Sequence, residues 1–385
     1  MRRVVVTGMG VVAPNGVGRR AFGKALRSGD SAIRPLSRFS HPFFSSFLAA
    51  EIPSKLFSLN GLDRFIEYGL RAVEESLQDS GLEVSALSPD EIGVVFSSSK
   101  GGMESLEKGI SPTFMQNFPT SCLSSMILRR YPFRGPALNI VTACATGTHT
   151  VIRGAQLIQD GQASVVLAGA SDASLTPLLL SGYDQMGVLS RKGVFPFDRL
   201  RDGFVVGEGA ASFILEEREH ALRRGAFCYG EIIGYAMGQD PSHPLRFDPS
   251  AENLARVLKG ALKRAKRSPQ KIDYINAHGT ATVPGDLYET DQIKRAFGKT
   301  AYQIPISSTK SMTGHLLGAS GAIELAAILL AMKEGFLPPT AGLSQKDPAC
   351  DLDYVPKVAR DQKISTALSI SMGFGGHISV IVVQK

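Results

Sequence analysis

The sequence of 385 residues predicts an α/β fold built from two related halves. Buried strand patterns alternate with amphipathic helix patterns along the whole chain, which is typical of sheets covered by helices. The length also exceeds what a single hydrophobic core usually supports. A unit of strand, small-residue turn and helix occurs from residue 138 and again from residue 304. Such a repeat indicates duplication, although only the pattern matches and not the residues.

Short apolar runs rich in β-branched residues predict strands over 4–7, 92–97, 138–143, 164–168, 211–216, 229–236, 274–277, 303–307, 367–371 and 378–383. Apolar positions at helical spacing predict helices over 63–80, 150–159, 252–267, 286–297 and 321–334. The repeat divides the chain into residues 1–220 and 221–385. We expect these two parts to be domains of similar fold.

Composition narrows the class of protein. An apolar content of 43% with 20% charged residues is ordinary for a globular protein and excludes extended disorder. Four cysteines without a C-x-x-C pair argue against a zinc site and favour a reducing, cytoplasmic setting. No apolar stretch reaches the length of a membrane span, so we expect a soluble protein without membrane insertion.

The net charge is +7, and basic residues occur in adjacent pairs along the chain. A basic surface attracts an acidic partner and speeds the encounter with it. Most of these charges are also explained as solvated helix faces. No nucleic-acid-binding motif accompanies them, so nucleic acid is not an expected partner.

Cys144 stands where the predicted strand over 138–143 ends and a helix follows. The positive end of the helix macrodipole favours thiolate, which is the nucleophilic form of cysteine. The small residues around it let a substrate approach the sulfur. The alternative is a buried structural cysteine, because free cysteines are among the most buried residues.

Three further strand ends carry polar or glycine-rich sequence: HGTAT from His278, KSMTGH ending at His315, and GFGG over 373–376. Ligands of open α/β sheets gather at the carboxyl ends of strands. Cys144, His278 and His315 therefore share one pocket if the two halves face each other. Either histidine alone could be a structural residue. Backbone N–H groups of the glycine-rich turn can stabilise a developing oxyanion.

Together with VVVTGMG at 4–10, TACATG at 142–147, and RDGFVVGEG at 201–209, these motifs span nearly the whole chain in a fixed order. In this order they resemble those of β-ketoacyl-acyl carrier protein synthases, the elongating ketosynthase class of the thiolase-fold superfamily. The resemblance implies a duplicated thiolase-like fold with two mixed five-stranded sheets in α-β-α-β-α layers. It also implies a homodimer that meets an acidic acyl carrier protein and needs no metal or organic cofactor.

The resemblance also implies a division of labour. Cys144 would accept an acyl group from one carrier protein, and a malonyl group on a second would lose CO₂ and attack it. His278 and His315 would stabilise the enolate, and the backbone N–H groups of Cys144 and Phe374 would form an oxyanion hole. By similarity, Lys310 and Glu289 would support the two histidines.

Substrate contacts follow from the same resemblance. Thr280 and Thr282 would contact the pantetheine arm, and Phe204 would line the acyl pocket unless it is plain core. Met372 and Ile370 differ from the residues common in the family, and we expect Met372 to gate the acyl tunnel loosely. The segment 100–130 also reads as shorter than is usual in the family.

Several functions remain open at this point. An elongating enzyme of fatty acid synthesis and a ketosynthase of a specialised polyketide pathway share the same chemistry. A non-condensing partner subunit that sets chain length is a different class, and it typically lacks the nucleophile. A cysteine hydrolase would not need two histidines. A thiolase would place a cysteine in the final glycine-rich segment, but Cys350 lies outside it.

Overall fold

The computed structural model describes residues 2–385. The strands are β1 Val4–Ala13, β2 Gly16–Val17, β3 Arg34–Pro35, β4 Leu48–Ala49, β5 Ile92–Ser97, β6 Ala137–Leu138, β7 Val165–Asp172, β8 Gly209–Glu217, β9 Gly230–Gln239, β10 Tyr274–Asn276, β11 Ile306–Ser307, β12 Phe336–Leu337, β13 Arg360–Asp361, β14 Thr366–Gly373 and β15 His377–Gln384. The α-helices are α1 Arg19–Ser28, α2 Arg64–Ser80, α3 Met103–Glu107, α4 Phe114–Asn117, α5 Cys122–Arg130, α6 Thr146–Gln159, α7 Pro177–Gln185, α8 Arg218–Arg223, α9 Asn253–Ala265, α10 Val283–Phe297, α11 Lys310–Thr313 and α12 Ser320–Glu334. In this described range, no helix has both the length and the hydrophobicity to cross a bilayer.

One large mixed sheet contains most of the strands, in the order β11-β10-β14-β15-β9-β1-β8-β7-β5-β6, with β2 beside β1. Each half contributes five strands to this order, β1-β8-β7-β5-β6 from the first half and β11-β10-β14-β15-β9 from the second. We predicted two five-stranded sheets, and that count is not confirmed, because hydrogen bonds join the two sets of strands. Strands β1 and β9, one from each half, pair antiparallel over residues 4–6 and 230–232 and so join the halves. A free strand edge offers unpaired N–H and C=O groups, and here each edge satisfies the other.

Three hydrophobic clusters show the layers around this sheet. The central cluster joins α6 and α12 to strands of both halves, for example Ile152 and Ile328 to Phe213 and Ile381. A second cluster packs α2 and α5 on the outer face of the first half. A third packs α9 and α10 on the outer face of the second half. The order of layers is therefore helix, sheet, helix, sheet, helix, as the sequence predicted.

The predicted strand over 138–143 is much shorter than expected. Strand β6 covers only Ala137–Leu138, and the chain then leaves the sheet. Side chains replace the ladder here: Ser97 Oγ accepts from the Ile140 N–H at 2.8 Å, and Thr146 Oγ1 accepts from the Thr142 N–H at 2.9 Å. Polar side chains that bond the backbone compete with regular structure, which the apolar pattern alone does not reveal.

The repeat predicted from the sequence appears as two matching helix starts. Helix α6 follows a 3₁₀ turn over Ala143–Ala145, and α12 follows a 3₁₀ turn over Leu317–Ala319. The two helices pack closely, since a Cβ on Gly321 would lie 2.2 Å from Thr148 Oγ1. This glycine lets the turn that carries Cys144 lie against the turn that follows His315. The division of the chain into 1–220 and 221–385 stays a prediction.

Candidate active site

Cys144 is the central residue of the 3₁₀ turn before α6, and its side chain is buried. The glycine-rich turn after β14 covers it from the other half of the chain. A Cβ on Gly373 would lie 2.9 Å from the Cys144 backbone nitrogen, so only glycine permits this approach. The backbone N–H of Phe374, the next residue along this turn, acts to lower the pKa of the Cys144 thiol. The two oxyanion-hole residues expected from the sequence are therefore neighbours.

His278 follows β10, where the backbone leaves the sheet. The Glu289 carboxylate on α10 accepts the backbone N–H of His278 and that of Gly279, each at 2.7 Å. Both histidine and glutamate are buried. Glu289 therefore holds the backbone of this turn and does not touch the imidazole. It supports His278 by fixing where the residue sits.

His315 lies between α11 and the 3₁₀ turn before α12, where its backbone N–H donates to the Val205 carbonyl at 2.8 Å. Its Nδ1 lies 2.9 Å from Ser320 Oγ at the start of α12, which fixes the ring. The centroids of the His278 and His315 rings are 5.5 Å apart, and the rings are nearly perpendicular at 83°. The structure thus places two imidazoles side by side at one point.

Lys310 lies behind His278 and is buried. Its ammonium donates to the His278 carbonyl at 2.6 Å and lies 3.3 Å from His278 Nδ1. It also forms an ion pair with Glu324, which is buried as well. An ammonium can only donate, so Nδ1 of a neutral His278 must accept and Nε2 must carry the proton. Lys310 therefore sets the tautomer of the ring.

The pKa values of these groups follow mainly from burial. Burial and the positive charge of Lys310 hold the pKa values of His278 and His315 well below their usual range. Burial raises the pKa of Glu289 to about 8, against the two backbone N–H donors that favour its ionised form. Both imidazoles are therefore neutral near pH 7 and can each donate an N–H.

The expected stabilisation of the Cys144 thiolate is not what this structure gives. Burial is the largest influence on Cys144 and raises the pKa of its thiol. The charges of Lys100 and Lys310 and the Phe374 N–H act in the opposite direction but do not outweigh it. The sequence shows that Cys144 lies at the start of a helix, but it does not show how deeply the side chain is buried, so the predicted effect on the pKa had the wrong direction.

An apolar cluster surrounds the sulfur. Phe204 belongs to it, and its ring contacts the His315 ring edge-on at 5.1 Å and the Tyr183 ring at 5.7 Å. The cluster of buried side chains consists of Phe44, Phe47, Ala49, Cys144, Leu175, Leu180, Tyr183, Phe204, Val206 and Leu317, with Phe374 at its margin. Cys144 and His315 are thus linked through the shared neighbour Phe204.

Thr280 and Thr282 are part-buried and follow His278 on the same turn. Their hydroxyls lie 3.0 Å apart. Ala281 between them has a positive φ of 64°, and the Asp286 carboxylate accepts its N–H at 3.1 Å. This fixed turn keeps both hydroxyls beside His278.

The structure does not bring Met372 and Ile370 to this site. Both are buried in the outer cluster of the second half with α9 and α10. Side chains alternate along β14, so Ser371 and Gly373 face the helix α6 side while Met372 and Ile370 face away. In this conformation the two residues belong to the core, and their assignment as substrate contacts stays a prediction.

Sequence reasoning missed four polar residues around the site: Lys100, Tyr183, Ser320 and Glu324. Glu324 had a signal, because it is the one acidic residue inside the otherwise apolar stretch over 322–332. A buried charge of this kind requires a partner. Ser320 gave the pattern of a helix start only. Lys100 and Tyr183 reach the site through the topology, which no local pattern reveals.

Within residues 2–385, no three His, Cys, Asp or Glu side chains are grouped so that they could hold a metal ion.

Comparison with known proteins agrees with this geometry. The model of the β-ketoacyl synthase N-terminal domain matches residues 1–221, and that of the C-terminal domain matches residues 229–344. The chain belongs to the β-ketoacyl synthase family. The resemblance expected from the sequence is therefore confirmed, and so is the condensing-enzyme class.

Among curated relatives, 3-oxoacyl-[acyl-carrier-protein] synthase 2 of Coxiella burnetii is 40% identical, covering 100% of this chain and 99% of that protein. The tetracenomycin polyketide synthase ketoacyl synthase alpha subunit of Streptomyces glaucescens is 38% identical, covering 100% and 97%. A solved type II polyketide ketosynthase in complex with its acyl carrier protein, AntDE:AntF, superposes with a TM-score of 0.94 at 35% identity and covers 100% and 99%. The thiolase-like α/β fold is confirmed by this match.

Proposed function

We propose that this β-ketoacyl synthase joins an acyl group held on Cys144 to a malonyl group carried by an acyl carrier protein. The reaction is a decarboxylative Claisen condensation that yields a β-ketoacyl-acyl carrier protein, in fatty acid or polyketide synthesis. The observation that carries the proposal is the pair of buried imidazoles, whose ring centroids are 5.5 Å apart, with the Phe204 ring against His315 and the buried Cys144 in the same cluster as Phe204. A hydrolase or a simple transferase has no use for the second ring.

Acyl transfer is the first step. The Cys144 sulfur attacks the thioester carbonyl of an acyl-phosphopantetheine, a new C–S bond forms, and the pantetheine thiol leaves with the proton. The tetrahedral intermediate carries a negative oxygen. The N–H of Phe374, on the turn that packs against the Cys144 backbone, and the N–H of Cys144 stabilise that oxygen.

Decarboxylation is the second step. The malonyl thioester loses CO₂, and the electron pair of the broken C–C bond forms an enolate with charge on the thioester oxygen. His278 Nε2 carries a proton because Lys310 donates to the opposite nitrogen. His278 and His315 then donate to the enolate oxygen together. Preorganised donors in a dry pocket cost no rearrangement when the charge develops.

Condensation completes the cycle. The enolate carbon attacks the acyl carbonyl on Cys144, the new C–C bond forms, and the Cys144 thiolate leaves and takes up a proton from water. The product remains on the carrier protein. All of these steps use side chains and backbone amides, and we propose no cofactor beyond the carrier's phosphopantetheine arm, which Thr280 and Thr282 contact.

We propose an acidic acyl carrier protein as partner. The net charge of +7 supports this. The resemblance of the sequence motifs to those of elongating ketosynthases supports a homodimer, and the absence of paired cysteines supports a cytoplasmic setting.

The deciding experiment incubates the purified chain with acyl carrier proteins loaded with acyl groups of graded length and with labelled malonyl-carrier protein. Wild type forms an acyl-enzyme and a labelled β-ketoacyl product, and Cys144→Ala forms neither. Product formation undiminished in Cys144→Ala would overturn the assignment of the nucleophile. A wild-type chain that binds acyl groups only beside a second subunit would indicate the chain-length partner instead.

A further inference from the structure

Lys100 follows β5 at the carboxyl end of that strand and is part-buried. Its ammonium has one hydrogen bond within residues 2–385, to Ser99 Oγ at 3.3 Å, and no ion pair there. An ammonium has three N–H donors, so two of them have no protein acceptor. This differs from Lys310, whose charge is fully compensated by Glu324.

The surroundings of Lys100 connect it to the active site. Ser99 Oγ donates to Asp172 at 2.5 Å, and Asp172 in turn accepts the N–H of Gly318 at 2.6 Å. Gly318 belongs to the 3₁₀ turn just after His315, and Leu317 of the same turn packs in the cluster around Cys144. A Cβ on Gly318 would lie 2.5 Å from Ser99 Cβ, so Ser99 and the adjacent Lys100 pack against the turn that follows His315.

Tyr183 is a second hydrogen-bond donor near Cys144. Its ring is buried against Phe204 in the cluster around Cys144. Burial raises the pKa of its phenol, so the hydroxyl stays protonated. No hydrogen bond of this hydroxyl occurs within the described part of the chain. The surroundings of Cys144 therefore include a phenol in the apolar cluster and an ammonium on the adjoining segment, and both have donors without a protein acceptor in the described residues.

A fully saturated acyl chain is a poor ligand for a site that contains these two donors. When methylene groups cover these donors, the donors lose their hydrogen bonds to water and gain no acceptor in exchange, which costs free energy. An acyl chain that carries an oxygen gives them an acceptor.

We propose that Lys100 and Tyr183 select oxygen-bearing acyl groups, so that the pocket accepts oxoacyl chains in preference to saturated chains of equal length. This inference rests on the function proposed above, and it names the acyl substrate class of that reaction. Both residues are specificity determinants and not catalytic groups. The shared chemistry is an acceptor oxygen, which can belong to a ketone or to a carboxylate.

The test measures kcat/KM for acylation of Cys144 with carrier proteins bearing octanoyl, 3-oxo-, 5-oxo- or 7-oxooctanoyl groups, and with the diacid-derived suberoyl group. We expect wild type to prefer at least one oxooctanoyl group to octanoyl by about tenfold or more. Lys100→Met and Tyr183→Phe keep size and shape but remove the donors. Each should reduce the preference about tenfold, mainly by accepting octanoyl better. A suberoyl preference lost only in Lys100→Met identifies a carboxylate as the acceptor.

Lys271→Met is the matched control, since it removes an exposed lysine charge and should leave the preference unchanged. The inference fails if wild type shows no preference, or if both variants change all acyl groups by one common factor. If the inference fails in this way but octanoyl is still loaded on Cys144 and condensed normally, the proposed function remains valid. Failure of every acyl group to load on wild type would instead overturn the proposed function itself.

Discussion

Lys310 and Glu324 form an ion pair that is shut off from solvent directly behind the ring of His278. Burial raises the pKa of Glu324 to about 7, and the Lys310 ammonium opposes that rise. Removing two charges from water is expensive, and such a pair rarely adds stability over a well-packed apolar pair. Its position suggests why it is there: it keeps a donor on Nδ1 of His278, which keeps the proton on Nε2.

Glu324→Leu should therefore lower the free energy of unfolding by about 3–5 kcal/mol, because it leaves the Lys310 charge buried without a partner. The double variant Lys310→Met with Glu324→Leu should recover most of that stability and still condense poorly. Urea denaturation and the condensation assay measure the two effects. Lys108→Gln, which breaks only an exposed pair with Glu104, should cost less than about 1 kcal/mol. Full condensation by the double variant would contradict a role for Lys310 in the tautomer of His278.

The fold class, the order of layers and the proximity of His278 and His315 were predictable, because strand and helix periods and motif order are local properties. The partners of those residues were not. Ser320 and Glu324 reach His315 and Lys310 only because α12 turns back beside α6, and that contact depends on the close approach at Gly321. The junction between the two sets of five strands was not predictable for a similar reason. Three residue pairs between β1 and β9, far apart in sequence, join the halves.

His278→Ala and His315→Ala should each still form an acyl-enzyme yet lose about 10²–10³-fold in condensation rate, because each removes one donor to the enolate oxygen. Mass spectrometry of Cys144 follows acylation, and labelled malonyl-carrier protein follows condensation. His243→Ala, at an exposed position, should change neither rate. If both active-site variants fail to acylate, the two histidines act in acyl transfer, and their assignment to the enolate oxygen is wrong.

The pH dependence should reveal the buried neutral imidazoles. Burial and Lys310 keep the pKa values of His278 and His315 far below 6.5 in the folded state, while both titrate near 6.5 when unfolded. Below pH 6.5 the unfolded chain therefore binds more protons, and each histidine lowers the free energy of unfolding by up to about 1.4 kcal/mol per pH unit. Condensation should show no inflection at pH 6.5, since neither ring gains a proton there.

His278→Gln removes one of these groups, so its free energy of unfolding should fall less steeply than that of wild type between pH 6.5 and 5. The useful quantity is the difference between the pH slopes of the two proteins, because other buried groups also contribute to each slope. Burial raises the pKa values of Glu289 to about 8 and Asp286 to about 7. Those carboxyls change stability in the opposite direction, since their folded forms bind protons that the unfolded chain has lost. Equal slopes for the two proteins would show that His278 titrates normally when folded.

Met372→Phe distinguishes a tunnel gate from a core residue. Met372 is 3% exposed and packs with Ile370 and Ile378 in the outer cluster of the second half. A phenylalanine there overfills a packed region, so we expect a loss of about 1–3 kcal/mol in the free energy of unfolding. The profile of acylation across chain lengths should keep its shape. Phe204→Leu, which changes a side chain in contact with His315, is the matched comparison and should shift that profile. A profile that moves in Met372→Phe without loss of stability would restore the gate predicted from the sequence and place Met372 in contact with substrate in some other conformation.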